Sequence, residues 1–444
     1  VKIIRQKLTI PTYEPQEPHE LPMFFENRPY QGADGKVYPL PYSDGISDEI
    51  KNVDYDAYIL ENEYIKTVIL PEIGGKILRG LDKTNNYDFM YYNEVVKPAL
   101  VGLAGPWISG GIEFNWPQHH RPTTFMPLES AVEENTDEGK TVWIGEIDPL
   151  CRMKGMAGIT LDKGRSYIKA MVRLYNRTDL PQVFMWWANL AVPVCSDYRT
   201  IFPPDVEWVN DHDRRAVLGW PIAKGVYDTA RPFDFKDGTD ISKYDAIKVP
   251  SSYLVSEGQS DMDFVAGYDE GKNTGIVTIS DHHIAPGKKM WHWGTGDFGD
   301  MWCSNLTDKN GPYIELMTGV YTDNQPDFTW IAPYEAEEFC QFWYPIKDIG
   351  GVKNATADAA VNLEKTDRGV FIGINVTGVF SGAELKVSCG DKILLLETAD
   401  LDPAAAYLKN LPLKGAAFND IKLTLTSKEG RRLVEYKPYI RGSK

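Results

Sequence analysis

Cysteine is scarce in this 444-residue chain, and the five present do not cluster. Cys151, Cys195, Cys303, Cys340 and Cys389 show no CxxC or CxxH spacing. This speaks against a zinc ribbon or a disulfide framework and predicts buried free thiols. Positive charge also falls short: 47 Lys and Arg stand against 63 Asp and Glu, a formal net charge of −16. Nucleic acid and anionic membrane surfaces are therefore poor partners. No apolar run is long enough to cross a membrane as a helix. Long helical periodicity is absent, and so is any repeat of about 20–50 residues. The opening "VKIIRQKLTIPTYEP" has no signal peptide, which predicts a cytoplasmic protein. A processed start, open because no initiator Met is present, would instead place it in the periplasm or outside the cell.

What remains is a β pattern. "SYIKAMVRLY" (166–175) alternates Ile168, Ala170, Val172 and Leu174 with more polar residues, as a half-buried strand does. "YIKTVILP", "TVWIGEI", "NTGIVTIS" and "EEFCQFWYP" read similarly, and Asp–Gly and Asn–Gly turn chemistry separates such runs. The fold class is all-β. A seam falls near "KDIGGVKNATADAAVNLE" (347–364), where aromatics thin out. Short alternating strands at regular spacing then predict a small Ig-like sandwich over 355–444, with a scaffolding role. Residues 1–50 read as an extended arm that packs on a large domain spanning 51–350. Ten of the twelve tryptophans lie between Trp107 and Trp302, and six of the seven histidines lie in that large domain. Its chemistry is expected there.

The densest polar stretch is "SGGIEFNWPQHH" (109–120). Gly110 and Gly111 allow positive φ or close backbone approach. In an extended strand Glu113 and Asn115 share one face, while Ile112, Phe114 and Trp116 share the other. Pro117 then ends the ladder and delivers Gln118, His119, His120 and Arg121 from a loop. Planar hydrogen-bonding groups beside an indole suit a hydroxyl-rich ligand. The competing reading is a buried polar network closing a sheet corner.

Three further stretches add candidates. "SDHHIAPGKKMWHWGTGDFGDMW" (280–302) alternates Asp281, His282, His283, His292, Asp297 and Asp300 with Trp291, Trp293 and Trp302. Adjacent histidines on a strand point to opposite faces, so at most one of His282 and His283 reaches a given site. The donors for a divalent cation exist, but no ligand spacing fixes one, so neither metal nor cofactor is expected. In "GPYIELMTGVYTDNQ" (311–325), Glu315 sits mid-strand, where a carboxylate is costly unless paired, hydrogen-bonded or raised in pKa. "QVFMWWANLAVPV" (182–194) is an apolar strand with one internal amide, Asn189.

"LPEIGGKILRGLDKTNNYDFMYYN", "GLAGPWISGGIEFNWPQHHRPTTFMP" and "YIELMTGVYTDNQ" resemble an uncharacterised bacterial domain family, over about residues 9 to 350. In many members that domain precedes tetratricopeptide repeats. The family in turn is similar to the galactose-mutarotase-like superfamily, which implies a large antiparallel β-supersandwich and a mono- or oligosaccharide ligand. In that superfamily's aldose 1-epimerases a late-strand glutamate is the base and a histidine the acid. Glu315 matches the glutamate by order and strand context. The superfamily's central histidine segment falls on Asn189, so His119 or His120 would have to act instead.

The pocket is accordingly drawn from 107–121, 186–189, 280–302 and 313–325. Its substrate-binding candidates are Trp107, Asn115, Trp116, Gln118, Arg121, Asn189, Trp291, His292, Trp293, Asp297 and Asn324. The catalytic candidates are Glu315, His119, His120 and Glu113. The first reading is glycosidic-bond hydrolysis by a carboxylate pair, Glu113 and Glu315, or one of Asp297 and Asp300 in the pair instead. The alternatives are aldose 1-epimerase-like isomerisation by Glu315 with His119 or His120, and glycan binding without turnover.

Overall fold

The computed structural model describes residues 1–21, 37–117, 120–136, 138–212, 216–224, 236–256, 258–320 and 329–442. Two facing antiparallel sheets form its larger part. One has twelve strands. Its run begins Lys2–Pro15, Ile46–Glu61, Ile65–Leu70, Lys76–Asp82, Ile112–Asn115 and Trp186–Pro193. It continues through Tyr313–Val320, Gly287–His292, Ser251–Val255, Trp208–Asp211 and Val217–Gly219. The other has eight, with Ala336–Lys347 and Ile168–Tyr175 at its centre. The all-β class read from the period-two pattern is what the structure has. The N-terminal arm enters the sheet itself: Lys2–Pro15 pairs along Ile46–Glu61 as its edge strand.

Alternation decides which side chains fill the space between the sheets. Ile112, Phe114, Trp186, Ala188, Leu190, Ile314 and Leu316 from the twelve-stranded sheet meet Val142, Ile159, Ala170, Val172, Phe339 and Trp343 from the other, all buried. The intervening residues of the same strands, Glu113, Trp187, Asn189, Glu315 and Met317, must therefore point to the sheet's outer face. That face carries the site.

Beyond residue 353 two four-stranded sheets enclose a separate core of Val361, Leu363, Ile372, Ile374, Leu385, Val387, Leu423 and Leu425. The seam before it is packed: Ile349 is buried, and its carbonyl accepts a bond from Asn362 Nδ2 at 2.7 Å. All five cysteines are free thiols, but each is half-buried rather than buried as expected. No described helix is long and apolar enough to cross a membrane.

One element departs from the sequence reading. Asp297–Leu306 is an α-helix, not part of an extended polar cluster. Asp297 and Asp300 occupy its first turn, where carboxylates complement the helix dipole. Leu306 is buried against Tyr313, and Trp302 stacks on Trp293 at 4.9 Å between ring centroids.

Candidate functional site: a carboxylate–imidazole pocket on the outer sheet face

Gly110 and Gly111 deliver the chain into this face with φ of 91° and 58°. A Cβ on Gly111 would overlap the Ile77 carbonyl oxygen, so only glycine lets the strand Ile112–Asn115 settle against Lys76–Asp82. The first outward residue is Glu113. Its carboxylate accepts from Trp107 Nε1 at 3.0 Å, Thr124 Oγ1 at 2.6 Å and Asn189 Nδ2 at 3.3 Å. His120 Nδ1 lies 3.1 and 3.2 Å from its two oxygens. Burial alone would raise the Glu113 pKa, but His120, the charge of Lys76 and the Thr124 hydroxyl outweigh it. The carboxylate stays ionised well below the usual range.

His120 is thus held against Glu113 by Nδ1, which turns Nε2 away from that carboxylate. The residue has φ of 41°, a left-handed conformation uncommon for a residue with a side chain. Its ring lies edge-on to Trp107 and Trp187, at 5.4 and 6.2 Å between centroids.

Neighbouring strands close the pocket. Tyr313–Val320 pairs with Trp186–Pro193 on one side and with Gly287–His292 on the other. The register sets Asn189 opposite Met317 and Trp291 opposite Glu315. His120, Trp107, Trp187, Asn189, Lys289, Trp291, Trp293, Glu315 and Met317 line one pocket of about 50 Å³. That volume holds a few waters, so a sugar ring enters only when wall side chains swing aside.

Glu315 is buried, and Tyr313 donates to it at 3.3 Å. Burial raises its pKa, and the Glu113 charge adds to this; His120, Asn189 and Lys289 offset only part. Lys289, also buried, is pushed down to about 8 by desolvation against the pull of Glu315. Two carboxylates on one face therefore have opposite characters. Glu113 is a saturated anion, and Glu315 is a carboxyl poised to exchange a proton. Asn189 stands between them, and its Oδ1 has no hydrogen-bond partner among the described residues although it is buried. A ligand hydroxyl would satisfy it.

The structure brings Trp107, His120, Asn189, Trp291, Trp293 and Glu315 into this pocket, with Glu113 directly behind His120. Other candidates sit elsewhere. Trp116 turns into the inter-sheet core, stacked on Trp186 at 5.4 Å, as its alternation with Glu113 requires. Arg121 is fully buried beneath it, 4.1 Å from that ring's centroid, with bonds to the Gly74 carbonyl and Glu146. Asn115 Oδ1 accepts from the Arg121 backbone N–H and braces the loop. His292 points away from Trp291, stacks on Tyr244 and bonds its carbonyl at 3.0 Å; burial pushes its pKa down to about 4. Asp297 is exposed at the helix start. Gln118, His119 and Asn324 lie outside the described residues.

Trp187, Lys289 and Met317 were not singled out from the sequence. Each is two residues from a singled-out one on the same strand, so period two was the available signal. A larger cleft of about 530 Å³ lies at the junction of the two sandwiches, lined in part by Arg199, Trp220, Glu270 and Lys353. Arg199 is paired with Glu270 there, and no histidine lines the cleft, so the smaller pocket is the better centre for proton chemistry.

The two tryptophan classes predict opposite phenotypes. Trp116→Ala removes a core indole and is expected to cost about 3–5 kcal/mol in urea unfolding. Trp291→Ala, at the pocket wall, should leave the unfolding midpoint nearly unchanged and weaken ligand binding.

The model of a domain of unknown function, DUF5107, matches residues 33–346, and that of the second domain of YphG-like proteins matches 354–436. Among solved structures, a TPR-domain containing protein from Parabacteroides distasonis aligns with a TM-score of 0.67 at 22% identity. The alignment covers 78% of this chain and 55% of that one, so the chain spans little more than half of that protein's length. At such identity the likeness is one of fold. A galactose mutarotase-like protein from Lactobacillus casei is more distant: 10% identity, TM-score 0.42, covering 65% of this chain and 100% of that one. A galactose mutarotase related enzyme from Lactobacillus acidophilus aligns at 12% identity and TM-score 0.41, covering 66% and 97%. With a family model spanning 33–346 of its 444 residues, the chain belongs to the DUF5107 family.

Proposed function

We propose that this pocket binds a sugar and moves protons at its anomeric centre, as an aldose 1-epimerase-like isomerase. The observation that carries the reading is the commitment of Glu113. Hydrolysis by a carboxylate pair needs Glu113 or an aspartate of 297–300 facing Glu315 across the bond to be cut. Glu113 is spent on Trp107, His120, Thr124 and Asn189, and it does not line the pocket. Asp297 and Asp300 are exposed on a helix and do not line it either. The carboxyl and imidazole left facing the cavity are Glu315 and His120, with the Lys289 amine beside them. That pair suits proton transfer rather than a glycosidase.

In this reading Glu315 takes the proton of the C1 hydroxyl. The C1–O5 bond breaks, its electron pair goes to the ring oxygen, and His120 Nε2 protonates that oxygen. The resulting open-chain aldehyde rotates about C1–C2, and the steps reverse on the other face. Glu113 holds the imidazole with its proton on Nδ1 once Nε2 has given up its own. The indoles stack on the apolar face of the ring.

His120→Gln is expected to lower anomer exchange by about 10²-fold with ligand affinity within a few-fold. Polarimetric mutarotation and a chromogenic glycoside screen on one preparation test the reading. Glycoside cleavage lost in Glu315→Gln would favour hydrolysis. Tryptophan quenching by sugars without any turnover would favour a binding protein.

A further inference from the structure

The turn joining Thr274–Ser280 to Gly287–His292 holds the pair that strand geometry would point apart, His282 and His283. Here they do not sit on a strand. The amides of Ile284 and Ala285 both donate to the Asp281 carbonyl, at 3.1 and 2.8 Å, which folds 281–285 into a turn. Consecutive side chains of a turn need not alternate, and the two imidazole rings lie 3.9 Å apart between centroids, tilted by 41°. Each ring has a carboxylate behind it. His282 Nδ1 is 2.7 Å from Asp263 Oδ1, and His283 Nδ1 is 3.0 Å from Asp281 Oδ1. The Asp263 carboxylate also accepts the His282 backbone N–H at 3.0 Å, so it holds that residue at two points.

We propose that Asp281, His282 and His283, with Asp263 orienting His282, form a surface site for a divalent transition cation of the zinc class. One donor atom from each of Asp281, His282 and His283 lies within 4.8 Å of the others. Among the described residues no other such group of His, Cys, Asp and Glu occurs. For His282, the Asp263 carboxylate on Nδ1 places the ring proton there and leaves the Nε2 lone pair for a metal, the arrangement in which metal-bound histidines are usually held; His283 must release its Nδ1 bond to Asp281 for both to become ligands. Zinc–ligand distances of about 2.0–2.2 Å place tetrahedral ligands about 3.3 Å apart, so the donors must close by up to ~1.5 Å. His283 and Asp281, with side chains 77% and 53% exposed, are free to make that movement. Mixed nitrogen and oxygen donors select zinc, cobalt or nickel over magnesium and calcium, which prefer oxygen alone. None of these residues lines the sugar pocket, so the site stands or falls apart from the proposed isomerase.

The test is calorimetric titration of the chelator-treated full chain with ZnCl₂, with CoCl₂ absorption as a ligand-field readout. The site predicts about one zinc per chain with a Kd of about 1–10 µM and a raised Tm. His282→Ala and His283→Ala should each weaken binding at least ~10-fold, and Asp263→Asn about 10-fold through the orientation of His282. Circular dichroism of each variant should match the parent, because the side chains lie on a surface turn. MgCl₂ should neither bind nor shift the Tm. Zinc binding weaker than ~100 µM, or tight binding that survives in both histidine variants, would overturn the site.

Discussion

Replacing Glu315 by Gln is expected to lower anomer exchange at least ~10²-fold while leaving the melting temperature unchanged or higher. The two halves of that result have one cause. Glu315 is buried on the outer sheet face, where burial and the Glu113 charge raise its pKa. Its ionised form is therefore penalised by folding. For an acid whose folded pKa is raised, the penalty is present above the folded value and relieved as pH falls through it. Gln keeps the shape and removes the charge, so stability at neutral pH is kept or improved while the proton acceptor is gone. Wild type should also gain stability relative to the variant on mild acidification. A Glu315 that served only as a hydrogen-bond hub would behave otherwise: the variant would melt lower, and its folded fraction would keep full activity.

Glu113→Gln should do the reverse to stability. This carboxylate is the buried counter-charge of His120 and Lys76 and the acceptor for Trp107, Thr124 and Asn189. An amide offers one acceptor oxygen, turns an NH₂ toward donors, removes the anion paired with His120, and leaves the buried Lys76 ammonium with Glu315 as its remaining anion. Breaking such a buried pair costs about 3–5 kcal/mol. The sign with pH is set by a depressed folded pKa. The stabilisation by Glu113 is complete above the unfolded value of 4.5 and is lost as pH falls toward the folded one, well below the carboxylate range. The gap between wild type and Glu113→Gln, read from urea unfolding, should therefore be widest near neutrality and shrink in acid. Anomer exchange should fall as well, because the His120 ring loses its anchor. The Kd for sugar should change less than turnover does, since Glu113 does not line the pocket.

Period two made much of this legible in the sequence. The opposition of Glu113 to Ile112, Phe114 and Trp116 follows from alternation alone, and the structure keeps it: the carboxylate faces out and the indole in. The same rule, applied consistently, separates Trp116 from a ligand role and finds Trp187 and Lys289. It is nearness in sequence that made Trp116 and Arg121 look like part of the site. Arg121 is instead a buried brace between the sheets, because a guanidinium stacked on an indole with a backbone carbonyl and Glu146 to bond is satisfied there. The rule fails where the chain leaves the strand. The helix Asp297–Leu306 is a short segment with Gly299 inside it and a Gly N-cap, too brief and too glycine-rich to announce itself by periodicity. His282 and His283 meet because the chain turns at Asp281, and a strand rule applied to a turn gives the wrong face. Which carboxylate stays charged was not readable either. That depends first on the His120 ring closing onto Glu113 and then on the charge of Lys76, from a strand 37 positions earlier.

The most direct measurement is anomer exchange by polarimetry or NMR on a panel of free aldoses, with wild type, Glu315→Gln and His120→Gln at equal folded concentration. A Glu315–His120 unit at the anomeric centre predicts exchange above the spontaneous rate for at least one aldose with wild type, at least ~10²-fold less with either variant, and sugar binding retained in both. Wild-type exchange no faster than the spontaneous rate for an aldose that binds the pocket, or full exchange by Glu315→Gln, would contradict it.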